Sequence, residues 1–196
     1  MSDNKKPYTD PRILRTRQLI RDAFVDLLQE MDVEKISVNR IAERATINRV
    51  TFYLHYRDIP DMMDKLADEM IENIEGILRK KWDLPTAGDE ERVLVTLLEH
   101  IADNSKWYKV ILASRKTPIF TERLLNFLTK LITEAVEKKG SATLAAVGIQ
   151  QEIAIWYASS ALIGTIVSWL RKDMPYSPHY LAEQFSLMRT HSIRQK

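Results

Sequence analysis

The side chains best suited to binding chemistry lie in one short stretch, from Asn48 to Tyr56. Phe52 and Tyr56 are four residues apart, so on a helix they share one face, which can pack inward. The outward residues are then Arg49, Val50, Thr51, Tyr53 and His55. Arginine suits guanine, valine and threonine methyls suit thymine, and tyrosine or histidine can donate to phosphates. The pattern indicates a surface that contacts double-stranded DNA.

Two short helices must position this surface. Ser37 is a helix-capping residue ahead of Val38, Ile41, Ala42 and Ala45, which share one face. Thr46-Ile47 makes a tight connection, and Asn48 caps a third helix running from Arg49 to about His55. Two short helices so joined form a helix-turn-helix, whose second helix enters the major groove. From the pattern alone, a plain helical hairpin inside a bundle remains the alternative.

Apolar residues recur at intervals of three and four along the rest of the chain, which predicts an all-α fold. The first helix begins at Asp10-Pro11, and Asp58 caps a fourth helix that reaches about Lys80. The predicted buried stripes are Ile13, Ile20, Phe24, Leu27, Leu28 and Met31 in the first helix, and Met63, Leu66, Met70, Ile74 and Ile77 in the fourth. After a break at 84–88, we expect helices near 89–103, 105–114, 118–138, 149–172 and 178–193.

Charge is divided unevenly along the chain. Residues 1–57 carry eleven lysines and arginines against eight aspartates and glutamates, whereas residues 58–86 carry four against eight. A basic head suggests a local site for a polyanion, with ordinary surface scatter as the alternative. The chain has no cysteine and shows no phosphate-binding loop or metalloprotease motif, and its four histidines lack ligand spacing. We therefore predict no catalytic, metal or cofactor site; an all-α enzyme and a DNA-free adaptor are the alternatives.

The segment Ile153–Leu170 carries no charge over eighteen residues. It is long enough to cross a bilayer, but a helix that is apolar all round can also be buried against a partner chain. Ser160 and Gly164 allow close helix approach, and with Val167 they form the predicted dimer interface. Met1–Tyr8 lacks the apolar core of a signal peptide, so we expect a cytoplasmic homodimer without membrane contact.

Aromatic residues concentrate in the C-terminal region, where a helical bundle can form a small-molecule pocket. The candidate pocket residues are His100, Trp107, Tyr108, Phe127 and Trp156. Aromatic residues at helical spacing are more often core, and this remains the alternative for each of them.

Residues 12–66 resemble the DNA-binding domain of the tetracycline-repressor (TetR) family. The resemblance rests on a long first helix followed by S-V-x-x-I-A-E-R-A, N-R-V-T-F-Y-L-H-Y and an acidic start to the fourth helix. The segments W-Y-A-S-S-A-L-I-G-T-I-V-S-W-L and M-P-Y-S-P are similar to the subset that regulates dihydroxyacetone kinase genes. In this family the last two helices form a four-helix bundle with those of a second copy.

The resemblance implies roles for particular residues. Ser37, Val38 and Arg40 occupy positions that contact the DNA backbone, and Tyr53 and His55 occupy phosphate-binding positions. Asn48, Arg49, Val50 and Thr51 form the front of the recognition helix. Arg57 is expected to replace a phosphate-binding lysine, because that position is Ile59 here. Thr46 stands where the family often has glycine, and β-branched threonine disfavours the left-handed conformation, so we expect a slightly different turn.

The resemblance implies a DNA-binding transcriptional regulator, with a DNA-binding domain at 1–57 that includes an N-terminal arm at 1–10. A ligand-binding and dimerisation domain follows at 58–196, connected by a helix at 58–81. We expect a repressor that binds a near-palindromic operator as a dimer and responds to an unidentified small molecule. An activator without a ligand is the alternative.

Overall fold

The chain is described by a computed structural model that covers residues 10–82, 89–139 and 148–194. Within these ranges the regular structure is helical and contains no strand. The prediction of an all-α fold is therefore confirmed. The predicted break at 84–88 lies outside the described residues.

The first four helices are α1 (Pro11–Glu30), α2 (Val38–Ala45), α3 (Arg49–Tyr53) and α4 (Ile59–Trp82), with one 3₁₀ turn at Val33–Lys35. The helices that follow are α5 (Asp89–Asp103), α6 (Ser105–Tyr108), α7 (Pro118–Lys139), α8 (Gln151–Arg171) and α9 (Pro178–Arg194). A π-helical turn, Lys109–Ala113, extends α6. The observed bounds agree with the predicted helices to within two residues, and α3 ends two residues earlier than expected.

Local capping explains where the early helices begin. The Asp10 carboxylate accepts the Arg12 amide at 2.9 Å, and the Asp58 carboxylate accepts the Asp61 amide at 2.8 Å. Each bond satisfies one of the amide donors that a first helical turn leaves without a partner. Pro11 and Pro60 fall in first turns, where no backbone bond is lost.

Backbone contacts divide the chain into two compact units, with the boundary between Leu66 and Ala67 inside α4. In the first unit, α1 packs on α2 and α2 on α3. In the second, α7 packs on α8 and α5 on α9. The predicted domain boundary at residue 57 remains a prediction.

Two predicted core stripes need correction. Ile13 is exposed, like its neighbours in the first turn of α1, and Met31 is only half-buried. In α4 the large residues that are buried recur in steps of four: Met62, Leu66, Met70, Ile74 and Leu78; the small Ala67 is buried beside them. Met63 and Ile77 are only half-buried. Four residues exceed the 3.6 of one turn, so this stripe winds around the helix, whereas the prediction assumed a straight one.

Candidate nucleic-acid interface

The start of α2 is fixed by Ser37, whose hydroxyl oxygen accepts the Arg40 amide at 3.3 Å. Arg40 is exposed, and its Nη1 lies 3.7 Å from the sulfur of Met31. Arg44 anchors the other end of α2, because its guanidinium donates to both carboxylate oxygens of Glu30 at 2.8 and 2.7 Å. This hydrogen bonding lowers the pKa of Glu30. The bidentate pair therefore holds α2 against α1.

The turn between α2 and α3 is left-handed at Thr46, with φ of 54° and ψ of 45°. The Ile47 amide donates to the Ala42 carbonyl at 3.0 Å, and the Thr46 amide donates to that of Glu43 at 3.1 Å. These bonds satisfy carbonyls at the end of α2 and close the turn. The expectation that threonine would alter the turn is wrong: the surrounding structure holds Thr46 in a conformation that a β-branched residue disfavours.

Helix α3 has only five residues, and its burial agrees with most of the predicted inward and outward positions. Leu54, just past its end, is exposed and was not predicted on the outer face. Asn48 caps it by accepting the Val50 amide at 2.8 Å. Phe52 and Tyr56 are buried, with ring centroids 5.5 Å apart. On the outer face, Val50 and Tyr53 are exposed, and the Arg49 guanidinium lies 5.4 Å from the centroid of the Tyr53 ring. This cation–π contact orients the arginine from one turn away.

His55 is half-buried beyond the end of α3. Burial lowers its pKa below the usual 6.5, and the positive charges of Arg17 and Lys65 lower it further. The imidazole is therefore neutral at pH 7, and each neutral ring still carries one N–H donor. A DNA phosphate beside His55 would therefore meet two positive charges, those of Arg17 and Lys65, as well as the imidazole. One of these cations is Arg17, from the second turn of α1.

Lys65 was not predicted as part of this site. Its Nζ donates to the His55 carbonyl at 3.1 Å and to the Asp61 carboxylate at 2.9 Å, and it lies 5.5 Å from the Tyr56 ring centroid. The spacing of Asp61 and Lys65, four apart, signals their ion pair. The bond to His55 spans ten residues, so no local pattern reveals it.

Arg57 lies at the rim, with an exposed side chain. Its backbone amide donates to Asp61 at 2.9 Å, and its Nε lies 3.3 Å from the other carboxylate oxygen. These bonds and that of Lys65 lower the pKa of Asp61, the Arg57 amide having the largest effect. The proposed phosphate role of Arg57 would therefore compete with its pairing to Asp61.

The remaining residues predicted to contact DNA are also exposed or half-buried. Ser37 and Asn48 are exposed, whereas Val38 and Thr51 are half-buried. The stretch from Thr46 to Arg57 contains no acidic residue. The outer face of α3 therefore combines cationic, hydrogen-bonding and apolar side chains, as a surface in a DNA groove requires.

The candidate pocket residues do not form one group. His100 Nε2 lies 2.9 Å from the Tyr108 hydroxyl. Trp107 packs edge-on against Phe120, with centroids 5.7 Å apart, and Phe127 is buried as well. Trp156, by contrast, is 56% exposed on the outer face of α8.

That outer face of α8 contains the predicted dimer residues. Ser160 and Gly164 are exposed, and Val167 is half-buried. A surface depression of about 490 Å³ lies here, lined by Ile153, Trp156, Tyr157, Ser160 and Ala161. A β-carbon added at Gly164 would meet no atom within 4 Å, so packing inside one chain does not require glycine there. Among the described residues, α8 is also the helix whose length and composition would allow a membrane span, with a third of its apolar window buried.

The sequence model for TetR C-terminal regions, described as "Transcriptional regulator C-terminal region", matches residues 89–191. The chain belongs to the TetR family of transcriptional regulators. The match covers more than half of the chain and begins at α5, so it is independent of the α2–α3 motif. As a TetR-family regulator the chain is not an enzyme.

One curated relative is the uncharacterized HTH-type transcriptional regulator YxbF of Bacillus subtilis (strain 168). It is 22% identical over 193 residues, covering 92% of this chain and 46% of the relative. The chain spans less than half the length of the curated relatives that it matches.

Two solved structures share the fold of this TetR-family chain. The dihydroxyacetone kinase operon activator DhaS is 21% identical, with a TM-score of 0.57, covering 91% of this chain and 96% of its own. The transcriptional regulator FadR from Bacillus subtilis, in complex with stearoyl-CoA, is 20% identical, with a TM-score of 0.59, covering 85% of this chain and 94% of its own. The predicted similarity to dihydroxyacetone kinase regulators is thus found at the level of the fold.

Proposed function

We propose that this TetR-family regulator is a repressor that binds a near-palindromic DNA operator as a homodimer. The observation that carries the proposal is the outer face of α3. Arg49, Val50 and Tyr53 are exposed there, while Phe52 and Tyr56 hold the helix from within. The DNA-binding domain would comprise residues 1–57, and residues 58–196 would bind a ligand and a second copy, with the helix at 58–81 connecting them. Such a regulator works on chromosomal DNA, in the cytoplasm.

The proposed dimer rests on the outer face of α8. Ile153, Trp156 and Tyr157 are each more than half exposed, and burying them in a partner would remove substantial apolar area from water. Exposed Ser160 and Gly164 offer close backbone approach. A second copy would bring two α3 helices to one duplex, about 34–36 Å apart, as two half-sites require.

The proposed effector is a small molecule with a long apolar chain. FadR was solved with stearoyl-CoA, which makes acyl-CoA the first ligand class to test here. His100 and Tyr108 supply a hydrogen-bonding pair, and Trp107 and Phe127 supply buried aromatic surface elsewhere in the same unit. Binding would weaken operator affinity only to the extent that the ligand prefers the form that does not bind DNA.

Selection of bound sequences from random DNA, followed by titration of the selected duplex, tests the proposal. We expect enrichment of a near-palindrome and two chains per duplex. Stearoyl-CoA should raise the melting temperature of the protein and weaken operator binding. Selection without enrichment of any sequence would contradict operator binding. A ligand that stabilises the protein but leaves operator affinity unchanged would contradict the switch alone.

An activator that needs no ligand is the second candidate, favoured by the described role of DhaS as an operon activator. Transcription in vitro from a promoter carrying the selected operator separates the two. A repressor lowers the transcript level, whereas an activator raises it.

A further inference from the structure

The two most exposed large apolar side chains among the described residues of the first unit lie one turn apart. Val50 is 66% exposed and Leu54 is 77% exposed. Residues four apart lie on the same helix face with β-carbons about 5–6 Å apart. Leaving both side chains in water forgoes the free energy that burial would provide. This indicates that an apolar group of a binding partner covers them.

The surroundings of this pair favour DNA as that partner. Arg49 and Tyr53 flank it, with the guanidinium over the ring, and Arg57 follows close behind in the chain. The stretch from Thr46 to Arg57 has no acidic residue. An apolar pair surrounded by cationic groups suits a polyanion that presents an apolar spot, rather than an apolar protein surface.

The major groove presents one apolar group of this kind, the C5-methyl of thymine. Base pairs follow each other at about 3.4 Å along the duplex, so side chains about 5–6 Å apart can reach methyls one or two base pairs apart. Asn48, at the start of α3, is less free to read a base with both amide atoms, because its Oδ1 already accepts the Val50 amide. The exposed side chains at the centre of the outer face of α3 are then those of Val50 and Leu54, which are apolar.

We propose that Val50 and Leu54 form a methyl-reading strip that contacts two thymine methyls in each operator half-site. The inference rests on the proposed function and deepens it, since it states what the operator contains. It makes Val50 and Leu54 determinants of sequence specificity. Arg49 then contacts a neighbouring base, and Tyr53 contacts a phosphate.

Replacing thymine by deoxyuridine tests the strip, because the change removes the methyl and leaves every hydrogen-bonding group in place. Each thymine of the selected operator is replaced in turn, in both half-sites, and the Kd is measured. Loss of one methyl contact should weaken binding about fourfold, and the symmetric pair about sixteenfold. Two positions per half-site should respond.

Variant proteins then assign each methyl to a side chain. V50A should abolish the response at one thymine and L54A at the other, and both variants should stay folded because the residues are exposed. L19A, which shortens an exposed leucine of α1, is the matched control and should keep the wild-type pattern.

Three outcomes overturn the inference alone, and a fourth overturns the proposed function with it. Tight operator binding without any uracil-sensitive position overturns it and leaves the proposed function intact. A response that persists in the V50A/L54A double variant assigns the methyls to other residues. A double variant that changes the sedimentation of the protein but keeps the uracil pattern assigns the strip to a protein contact. Failure to select any operator contradicts the proposed function as well, which distinguishes it from the other three.

Discussion

The Nζ of Lys65 lies 3.1 Å from the carbonyl oxygen of His55, so the second turn of α4 supports the chain just beyond the recognition helix. A five-residue helix leaves most of its carbonyls without partners inside the helix. The charged amine of Lys65, from α4, donates to one carbonyl just after α3, that of His55. Lys65 is therefore a positioning residue for α3.

Lys65→Met tests this support. The variant should lose about 1 kcal/mol of unfolding free energy, because a hydrogen bond from a charged donor disappears while the apolar stem remains. Urea unfolding measures the loss, and operator affinity should fall in parallel. Lys130→Met, on the exposed face of α7, is the control for loss of charge. Equal stability and affinity in Lys65→Met and wild type would contradict the role.

Thr46→Gly should stabilise the protein. A left-handed conformation costs a non-glycine residue about 1–2 kcal/mol, and the greater chain entropy of glycine in the unfolded state offsets about half of this. We expect a net gain of about 0.5–1 kcal/mol, seen as a higher melting temperature. Thr46→Val keeps the β-branch and should gain nothing. A gain of the same size in Thr46→Val would show that backbone strain is not the cause.

His55 should make stability depend on pH. Its pKa is lowered in the folded state, so as pH falls through about 6.5 the unfolded chain takes up a proton before the folded one does. The contribution of His55 is fully present above that pH and is lost progressively as pH falls towards the folded pKa. Urea unfolding from pH 8 to pH 5 should therefore show a smaller decline in His55→Gln than in wild type. Parallel profiles would contradict the depressed pKa.

Arg49→Ala and Tyr53→Phe separate base reading from backbone contact. Arg49→Ala should cost about 1–3 kcal/mol and relax the preference at one base position. Tyr53→Phe keeps the ring that orients Arg49 but removes the hydroxyl, so it should weaken all sequences alike. Titration of the selected operator and of a non-operator duplex measures both effects. If neither variant alters affinity, α3 is not the recognition helix.

Gly164→Arg should convert the dimer to a monomer. A β-carbon added at this exposed position would meet no atom within 4 Å, so the fold should accept an outward-pointing side chain while a partner packed against α8 cannot. Gly76→Arg is the matched control, because that exposed glycine of α4 also has free space around it. Sedimentation velocity checks the assembly. A wild-type monomer at micromolar concentration would refute the proposed interface.

Sequence reasoning succeeded where the cause is local. The caps at Asp10, Ser37, Asn48 and Asp58 each involve residues two or three apart, and all four were predicted. The burial of Phe52 and Tyr56 follows from helical period in the same way.

It failed where distant residues decide. The bond from Lys65 to His55 joins α4 to the chain just beyond α3, and the left-handed Thr46 is imposed by neighbouring structure against its own preference. Sequence reasoning also placed Trp156 among the candidate pocket residues, and its exposure on the outer face of α8 is visible only in the structure. Propensity describes what a residue favours by itself, and tertiary contacts can override it.

The division of labour within α3 bears on how this regulator could change its target. Phe52 and Tyr56 anchor the helix, whereas Arg49, Val50 and Tyr53 face outward and contribute little to the core. Substitutions at outward positions usually alter stability by less than about 0.5 kcal/mol. Duplicated copies of such a gene could therefore acquire new operators through a few exchanges on one face, without passing through unfolded intermediates.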